Sequence, residues 1–574
     1  MIQNHTFRIL SLLLLLSHGL VSAGLTPDAV RPNFVVFLVD DLGIGDIGCF
    51  GNDTIKTPNI DNLASHGAKL NHNLAPESMC TPSRAATLTG RYAVRSGMGS
   101  GPGETRVFLN IATSGGLQNN ETTIAEVLQE SGYKTGMIGK WHLGLNCMDD
   151  KDGCHHPMNN GFDEFYGLPL TNIRAACGSK EDGSRLTDYI KKLVKPLMIA
   201  NVIFWIALMW IGFLSRKMAF LLFIFSFLIL SLPVLFGNLI FTQFICVLMR
   251  GFEVVEQPLI LENLTLRFTD EAKRFITTNK AKPFFLFMSY AKVHTSLFTS
   301  PRFKGHSVHG RYGDNVEEMD WSVGEIISSL KKENVLDNTF VYFTSDHGPF
   351  LEENVDTGEY CGGSKGRYRG GKGQSWEGGI RVPTLAMWKD HIPEGITINE
   401  PTNTMDIFTT MIQIAGSNIP TDRIIDSKNI LPLLKQEELV SPHQFMYHYC
   451  GTAVHAVRYR PQTGDVTWKA HFITPNWDPG TEGCQSTFVT CLCFGEHVTH
   501  HNPPLLYDIT NDPYETQPLD TAQYQDVVTT IKEAMEKHMQ GVKVVPRQLG
   551  FPNAWWSPRR QPCCNFPYCS CVES

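Results

Sequence analysis

The chain has 574 residues, 57 of them acidic and 49 basic, for a net charge of −8 and an isoelectric point near 6.2. That length favours a large domain beside a smaller one over a single compact unit. The charge balance gives no basic field for a polyanion and the sequence carries no long Lys/Arg block, so nucleic acid is excluded as the expected partner.

At the N-terminus Arg8 precedes the apolar run 9–16, and Val21-Ser22-Ala23 supplies the small residues of a signal-peptidase site. Residues 1–23 therefore read as a signal peptide. Asn52, Asn120 and Asn263 each open an Asn-x-Thr sequon and are candidate glycosylation sites in a secretory compartment. The fifteen cysteines suit an oxidising lumen.

Four short apolar runs each stop at residues able to do chemistry. Residues 34–39 (FVVFLV) end at Asp40-Asp41, and 135–138 lead into Gly139-Lys140-Trp141-His142. Residues 284–289 (FFLFMS) lead to His294, and 340–344 (FVYFT) to Asp346-His347-Gly348. Unbroken apolar runs suit strands buried on both faces of a mainly parallel sheet, and 123–131 and 316–333 have the apolar spacing of the intervening helices. Ligands bind beyond the carboxyl ends of such strands, so these polar residues are expected to converge. A glycine-rich stretch from Gly362 to Gly379 can bring backbone N–H groups and the Lys372 ammonium to an anion, or serve as a surface loop.

Residues 197–214 and 218–240 contain no Asp, Glu, Lys or Arg and are separated only by Ser215-Arg216-Lys217. Each is long enough to span a bilayer, and together they predict an antiparallel transmembrane hairpin over 197–248. Two spans return the chain to its starting side, so both flanks are expected in the lumen, with the basic tip in the cytoplasm. Beyond 443, the runs 453–459 and 467–474 suggest antiparallel strands of a smaller C-terminal domain reaching to 574. Its tail, Cys563, Cys564, Cys569 and Cys571, reads as disulfide-stapled, with a zinc site as the rival. An odd cysteine count leaves at least one for another purpose, and Cys80 is the candidate.

Cys80-x-Pro82-Ser83-Arg84-x-x-x-Leu88-x-Gly90-Arg91 resembles the sulfatase signature. The resemblance continues through Gly139-Lys140-Trp141-His142 and Glu377-Gly378-Gly379-Ile380-Arg381-Val382-Pro383. It runs from about Pro32 to the C-terminus, and the hairpin and Cys-rich tail are similar to those of the membrane-associated steryl-sulfatase and arylsulfatase subgroup. The resemblance implies an α/β fold of the alkaline-phosphatase-like type, with catalytic segments 24–196 and 249–442. It implies hydrolysis of aryl or steroid sulfates, and conversion of Cys80 by the formylglycine-generating enzyme of the endoplasmic reticulum into formylglycine. The hydrated aldehyde carries two hydroxyls, one to attack sulfur and one to expel sulfate; a thiol or serine lacks that second exit.

By the same resemblance Asp40, Asp41, Asp346 and the residue at Cys80 would hold a divalent ion, Ca²⁺ by its preference for hard oxygen donors. Lys140 and Lys372 would bind sulfate, Arg84 would orient the nucleophile, His142 would take its proton, and His294 would contact sulfate and protonate the leaving oxygen. His347 departs from the amide usual in the subgroup at that metal position, which leaves it as ligand, sulfate contact or tuner of metal choice. The rival functions are a metal-dependent phosphatase or phosphodiesterase of the same superfamily, and a membrane-anchored relative without activity. Residues 106–110 and the loop 484–493 are expected pocket walls, and the endoplasmic reticulum membrane is the expected location.

Overall fold

The computed structural model describes residues 31–173, 177, 185–212, 215–351, 360–484 and 491–573. The expected leader lies outside them. A ten-stranded sheet forms the centre, in the order Ile396–Ile398, Ala68–Leu70, Leu385–Met387, Thr339–Ser345, Asn33–Val39, Phe284–Ser289, Lys134–Lys140, Glu164–Leu168, Leu248–Arg250, Glu253–Glu256. From Thr339–Ser345 to Glu164–Leu168 five neighbouring strands run parallel. Antiparallel pairs flank them on both sides, so the sheet is mixed rather than uniformly parallel. All residues of Asn33–Val39, Phe284–Ser289 and Thr339–Ser345 are buried, as their unbroken apolar sequence requires.

Helices cover the sheet. Ile124–Glu130 starts with a capping box, Thr123 Oγ1 accepting from Glu126 N while Glu126 accepts from Thr123 N. Gly310–Lys332 packs against Leu264–Asn279. A separate antiparallel sheet, Phe445–Cys450, Ala453–Tyr459, Trp468–Pro475 and Val498–Asp508, builds the C-terminal part.

Two long helices, Arg185–Ile211 and Arg216–Ile245, stand beside each other in antiparallel sense. Trp205 Nε1 donates to Asn201 Oδ1 at 2.9 Å and Ser226 Oγ at 3.0 Å, and Ser226 Oγ donates to Asn201 Oδ1 at 2.9 Å. These bonds link polar groups within an otherwise apolar pair, while Asn201 Nδ2 has no hydrogen-bond partner among the described residues. Residues Val194–Ile211 have a mean hydropathy of 1.9 and are long and apolar enough to cross a membrane. Trp210 is 91% exposed, and Ile203, Phe220 and Leu221 also face outward. The Cys177–Cys246 disulfide joins the chain before the first helix to the end of the second.

Disulfides also join Cys147–Cys154, Cys450–Cys493, Cys484–Cys491, Cys563–Cys569 and Cys564–Cys571. The tail is stapled, as its cysteine pairs suggest, and Cys80 stands outside all six bridges. Asn120 and Asn263 are exposed; Asn52 is half-buried, its amide donating to the Gly45 carbonyl at 2.8 Å.

Candidate active site

Strand register brings the polar residues together. Val39 pairs with Ser345, so Asp40 and Asp346 leave adjacent strands side by side. Leu38 pairs with Ser289, and the segment after Ser289 stays on Asp40: Asp40 N donates to Lys292 O at 2.8 Å and Val293 N to Asp40 O at 2.7 Å. This segment carries His294. Lys140 ends the next strand, after Gly139 at φ 108°. A Cβ on Gly139 would lie 1.8 Å from the Ser289 carbonyl oxygen, so glycine is what lets that strand deliver its lysine.

Cys80 opens the helix Cys80–Thr89, whose ten residues are all buried. Arg84, one turn on, lies on the same face. Its Nε donates to Asp346 Oδ2 at 3.0 Å and its Nη1 to Ser289 Oγ at 2.6 Å, while Nη2 stands 3.5 Å from Asp40 Oδ1. Lys140 Nζ is 2.5 Å from Asp40 Oδ2, and Lys372 Nζ is 2.6 and 2.7 Å from the two oxygens of Asp41. Asp41 has φ 61°, a left-handed turn that an aspartate tolerates. His347 Nε2 lies 3.3 Å from Cys80 Sγ, 3.3 Å from Asp41 Oδ1 and 3.4 Å from Asp346 Oδ1. Its Nδ1 is 2.9 Å from the Gly348 carbonyl, to which Nδ1–H donates, and this tautomer leaves the Nε2 lone pair facing the carboxylates.

Charge sets the protonation states. Burial works against ionised Asp40, yet Lys140, His294, Arg84 and Lys372 hold its carboxyl well below the usual range. Asp41 is lowered too: burial raises it, but Lys372, His294 and His347 together outweigh burial. Asp346 moves the other way, because burial exceeds what His347 and Arg84 return. Burial pushes the Cys80 thiol up to about 12 and His294 down to about 4, and holds His142 well below the usual histidine value. His142 Nε2–H donates to the Phe108 carbonyl at 2.9 Å; among the described residues its buried Nδ1 has no hydrogen-bond partner, and neither has Nδ1 of His294.

The donor set fits a hard divalent cation. Ligand atoms of Asp40, Asp41, Cys80 and His347 lie within 4.8 Å of one another, all buried, with Asp346 Oδ1 beside them. Among the described residues Asp40 Oδ1 receives no hydrogen bond. A buried carboxylate oxygen without a donor suits an ion such as Ca²⁺; the imidazole and the Cys80 sulfur are the softer members of the set.

A cavity of about 460 Å³ is lined by Thr105, Arg106, Val107, Leu109, Leu492 and Phe494 among others, and by none of the cluster's residues. Arg106 ties it to the Lys372 loop, Nη1 donating to Gly373 O at 2.6 Å and to Cys491 O at 3.0 Å. Both expected pocket walls thus contribute, although residues 485–490 lie outside the described residues.

Two further residues, Ser289 and Lys292, support the site. Ser289 bridges Arg84 and the Lys140 carbonyl. Lys292 is buried against Glu318 at 2.9 Å and Asn315 at 2.8 Å, pinning the His294 segment. Ser289 is marked by standing last in its strand; Lys292 is marked by nothing local.

Residues 32–417 match the family model described as sulfatase, and residues 441–571 match the C-terminal region of aryl-sulfatase. The chain belongs to the sulfatase family. Steryl-sulfatase of Homo sapiens is 48% identical to this sulfatase over 95% of this chain and 94% of that protein. Arylsulfatase D of Homo sapiens is 43% identical over 96% and 93%. The crystal structure of PsFucS1 sulfatase from Pseudoalteromonas sp. superposes with a TM-score of 0.69 at 26% identity, covering 91% of each chain. The sulfatase is therefore a hydrolase of sulfate esters, and its family implies a formylglycine and a divalent metal.

Proposed function

We propose that this sulfatase hydrolyses amphiphilic aryl sulfates of the steroid-sulfate class, with formylglycine at position 80, Ca²⁺ as its metal, and an anchor in the endoplasmic reticulum membrane. The observation that carries the reading is the placement of Cys80: first in a buried helix, outside every disulfide, among three aspartates, His347 and the ammonium groups of Lys140 and Lys372.

Formylglycine hydrate supplies one hydroxyl to attack sulfur and a second whose deprotonation releases sulfate. Asp40, Asp41, Asp346 and His347 would hold Ca²⁺, which would supply Lewis acidity and balance the sulfate charge. Lys140 and Lys372 sit where fixed cations hold sulfate oxygens as negative charge builds on them. Arg84, on the same helical face as position 80, holds Asp346 beside it and would orient the nucleophile. His142 is neutral, with Nδ1 free to take a proton, and Phe108 fixes its other nitrogen. His294 lies in the field of Asp40 and Asp41; a bound anionic sulfate ester favours its cationic form, which gives its proton to the leaving oxygen.

A peptide mass spectrum across Cys80, from cells that modify a control sulfatase, is expected to show an aldehyde or its hydrate; a fully retained thiol would remove the mechanism. Asp346→Ala is expected to lose bound Ca²⁺ together with activity, as read by elemental analysis of the purified chain. Normal metal content in that variant would refute the ligand assignment.

The apolar cavity at the Lys372 loop and the apolar helix Val194–Ile211 favour a substrate with a large hydrocarbon body. Both flanks of the helix pair would then lie in the lumen, where the formylglycine-generating enzyme acts, with the basic tip Arg216-Lys217 in the cytoplasm. Leu109→Ser removes apolar contact of about 1.5 kcal/mol, so kcat/KM for a steroid sulfate should fall roughly tenfold relative to a one-ring aryl sulfate. An unchanged ratio would place the hydrocarbon elsewhere.

A further inference from the structure

One buried guanidinium gathers segments that lie far apart in the sequence. Arg106 Nη1 donates to the Gly373 carbonyl at 2.6 Å and to the Cys491 carbonyl at 3.0 Å, while Nη2 donates to Glu77 Oε1 at 3.1 Å and to Ser78 Oγ at 3.3 Å. A buried charge is costly unless it is paired, and Glu77, buried beside Arg106, is its partner. Glu77 Oε1 also accepts from Gly451 N at 3.2 Å, in the turn between Phe445–Cys450 and Ala453–Tyr459. The pair is thereby anchored in the C-terminal sheet.

Two of the acceptors adjoin groups of the site. Ser78 precedes Cys80 by two residues, and Gly373 directly follows Lys372. They are also joined to each other, Gly373 N donating to Ser78 O at 2.8 Å. Gly373 has φ 86°, and a Cβ there would lie 3.1 Å from Arg106 Nη1 and 3.2 Å from Cys491 Cβ, so glycine lets the loop close on the guanidinium. Lys372 N donates to Pro349 O at 2.8 Å. The lysine's backbone is therefore held by Pro349 on one side and by the Gly373 clamp on the other. A planar fork of donors can serve Gly373, Cys491, Glu77 and Ser78 together, whereas an ammonium presents its donors from a single point.

We infer that Arg106, anchored by Glu77, is a positioning residue for sulfate ester hydrolysis, its guanidinium setting the Lys372 ammonium against the residue at position 80. The inference rests on the reading of Lys372 as a sulfate ligand. Arg106 acts through the Gly373 carbonyl on one side and Ser78 on the other, not by contact with the ester. The same side chain lines the cavity with Val107 and Leu109. A cavity wall acts only on substrates large enough to reach it; a clamp on Lys372 acts on every sulfate ester.

The test is a kinetic cycle on the full-length enzyme with para-nitrophenyl sulfate, a one-ring ester too small to need the cavity. Arg106→Lys keeps a cation beside Glu77 but loses the fork. This variant is expected to melt near the wild type and to lose kcat and kcat/KM in parallel, roughly ten- to a hundredfold. Lys372→Ala alone is expected to lose roughly a hundredfold or more, and Arg106→Lys in that background to add little. Full activity of Arg106→Lys would show that its charge is all the fold requires, and a loss confined to KM for a steroid sulfate would make Arg106 a cavity wall. Either result overturns the inference, as would losses that multiply in the double variant. Unchanged turnover in Lys372→Ala would instead defeat the reading of Lys372, and the inference with it. If Arg106→Lys does not fold, Glu77→Gln takes its place in the cycle with the same outcomes, since it keeps the side chain's shape and an acceptor for Gly451 N while weakening the hold on the guanidinium.

Discussion

Cys80→Ala is expected to lose sulfate ester hydrolysis by roughly 10⁴-fold or more while the protein folds, keeps its disulfides and stays with the membrane. The side chain is small, and its removal from the first turn of the helix Cys80–Thr89 takes away no hydrogen bond that the fold needs: Ser83 N still donates to the Met79 carbonyl at 3.0 Å, and Arg84 still reaches Asp346 and Ser289. Loss of activity with an unchanged melting temperature would thus report on chemistry and not on folding. Cys80→Ser sharpens the test. A serine offers one hydroxyl for attack but no second one to expel sulfate, so this variant should accumulate a sulfated residue at position 80 after at most one turnover. Mass spectrometry of the intact chain after incubation with substrate distinguishes the two variants. Sustained turnover by Cys80→Ser would mean that water releases the sulfate directly, and the two-hydroxyl mechanism would fall.

Much of this site is legible in the sequence because strands advertise their ends. The runs 34–39, 284–289 and 340–344 are apolar on both faces, so each must enter the core of a sheet, and the polar residue at which it stops must come out at an edge. The structure adds the order of the strands, and with it the pairing of Val39 with Ser345 that sets Asp40 beside Asp346. The apolar helix pair is equally plain, since the absence of charge over two long runs has few other uses. Cysteine pairing between Cys177 and Cys246 has no such local mark, because a separation of 69 residues fixes no partner. The same holds for buried charges. Lys292 follows a strand by three residues and looks like any surface lysine until Glu318, on a helix 26 positions on, is seen to hold it. Glu377 is legible as part of a motif, but the reason a carboxylate stands there is not. Its partners Arg458 and Lys469 come from the other sheet, 81 and 92 residues away.

Those partners define the second large effect. Glu377, fully buried, accepts from Lys469 Nζ at 2.8 Å, from Arg381 Nε at 2.9 Å and from Arg458. Lys469 Nζ also lies 2.9 Å from Glu515 Oε1, which His471 Nε2 approaches at 2.6 Å, and Glu515 Oε2 accepts from Glu377 N at 2.7 Å. The turn that Glu377 opens lies behind the site: Gly348 N donates to Gly379 O at 2.9 Å, and Gly378 N to Arg369 O at 2.7 Å, next to Lys372. Lys469→Met removes one cation and leaves two buried carboxylates short of charge. Taking one partner from such a cluster costs about 3–5 kcal/mol, far more than a surface pair. The variant is expected to unfold at lower denaturant and to lose turnover through the displaced Lys372 loop, with Lys469→Arg recovering part of both. Sign follows from Glu377: burial favours its neutral form, but Arg458, Lys469 and Arg381 together hold its folded pKa well below the ordinary carboxylate value. The stabilisation is therefore complete above the unfolded pKa of about 4.3 and is lost as pH falls toward the folded one. The gap between wild type and Lys469→Met should stay constant from neutral pH down to about 5 and narrow below it, where protonated carboxyls no longer need the lysine. A gap that widens in acid would show that the lysine acts on something other than Glu377 and Glu515.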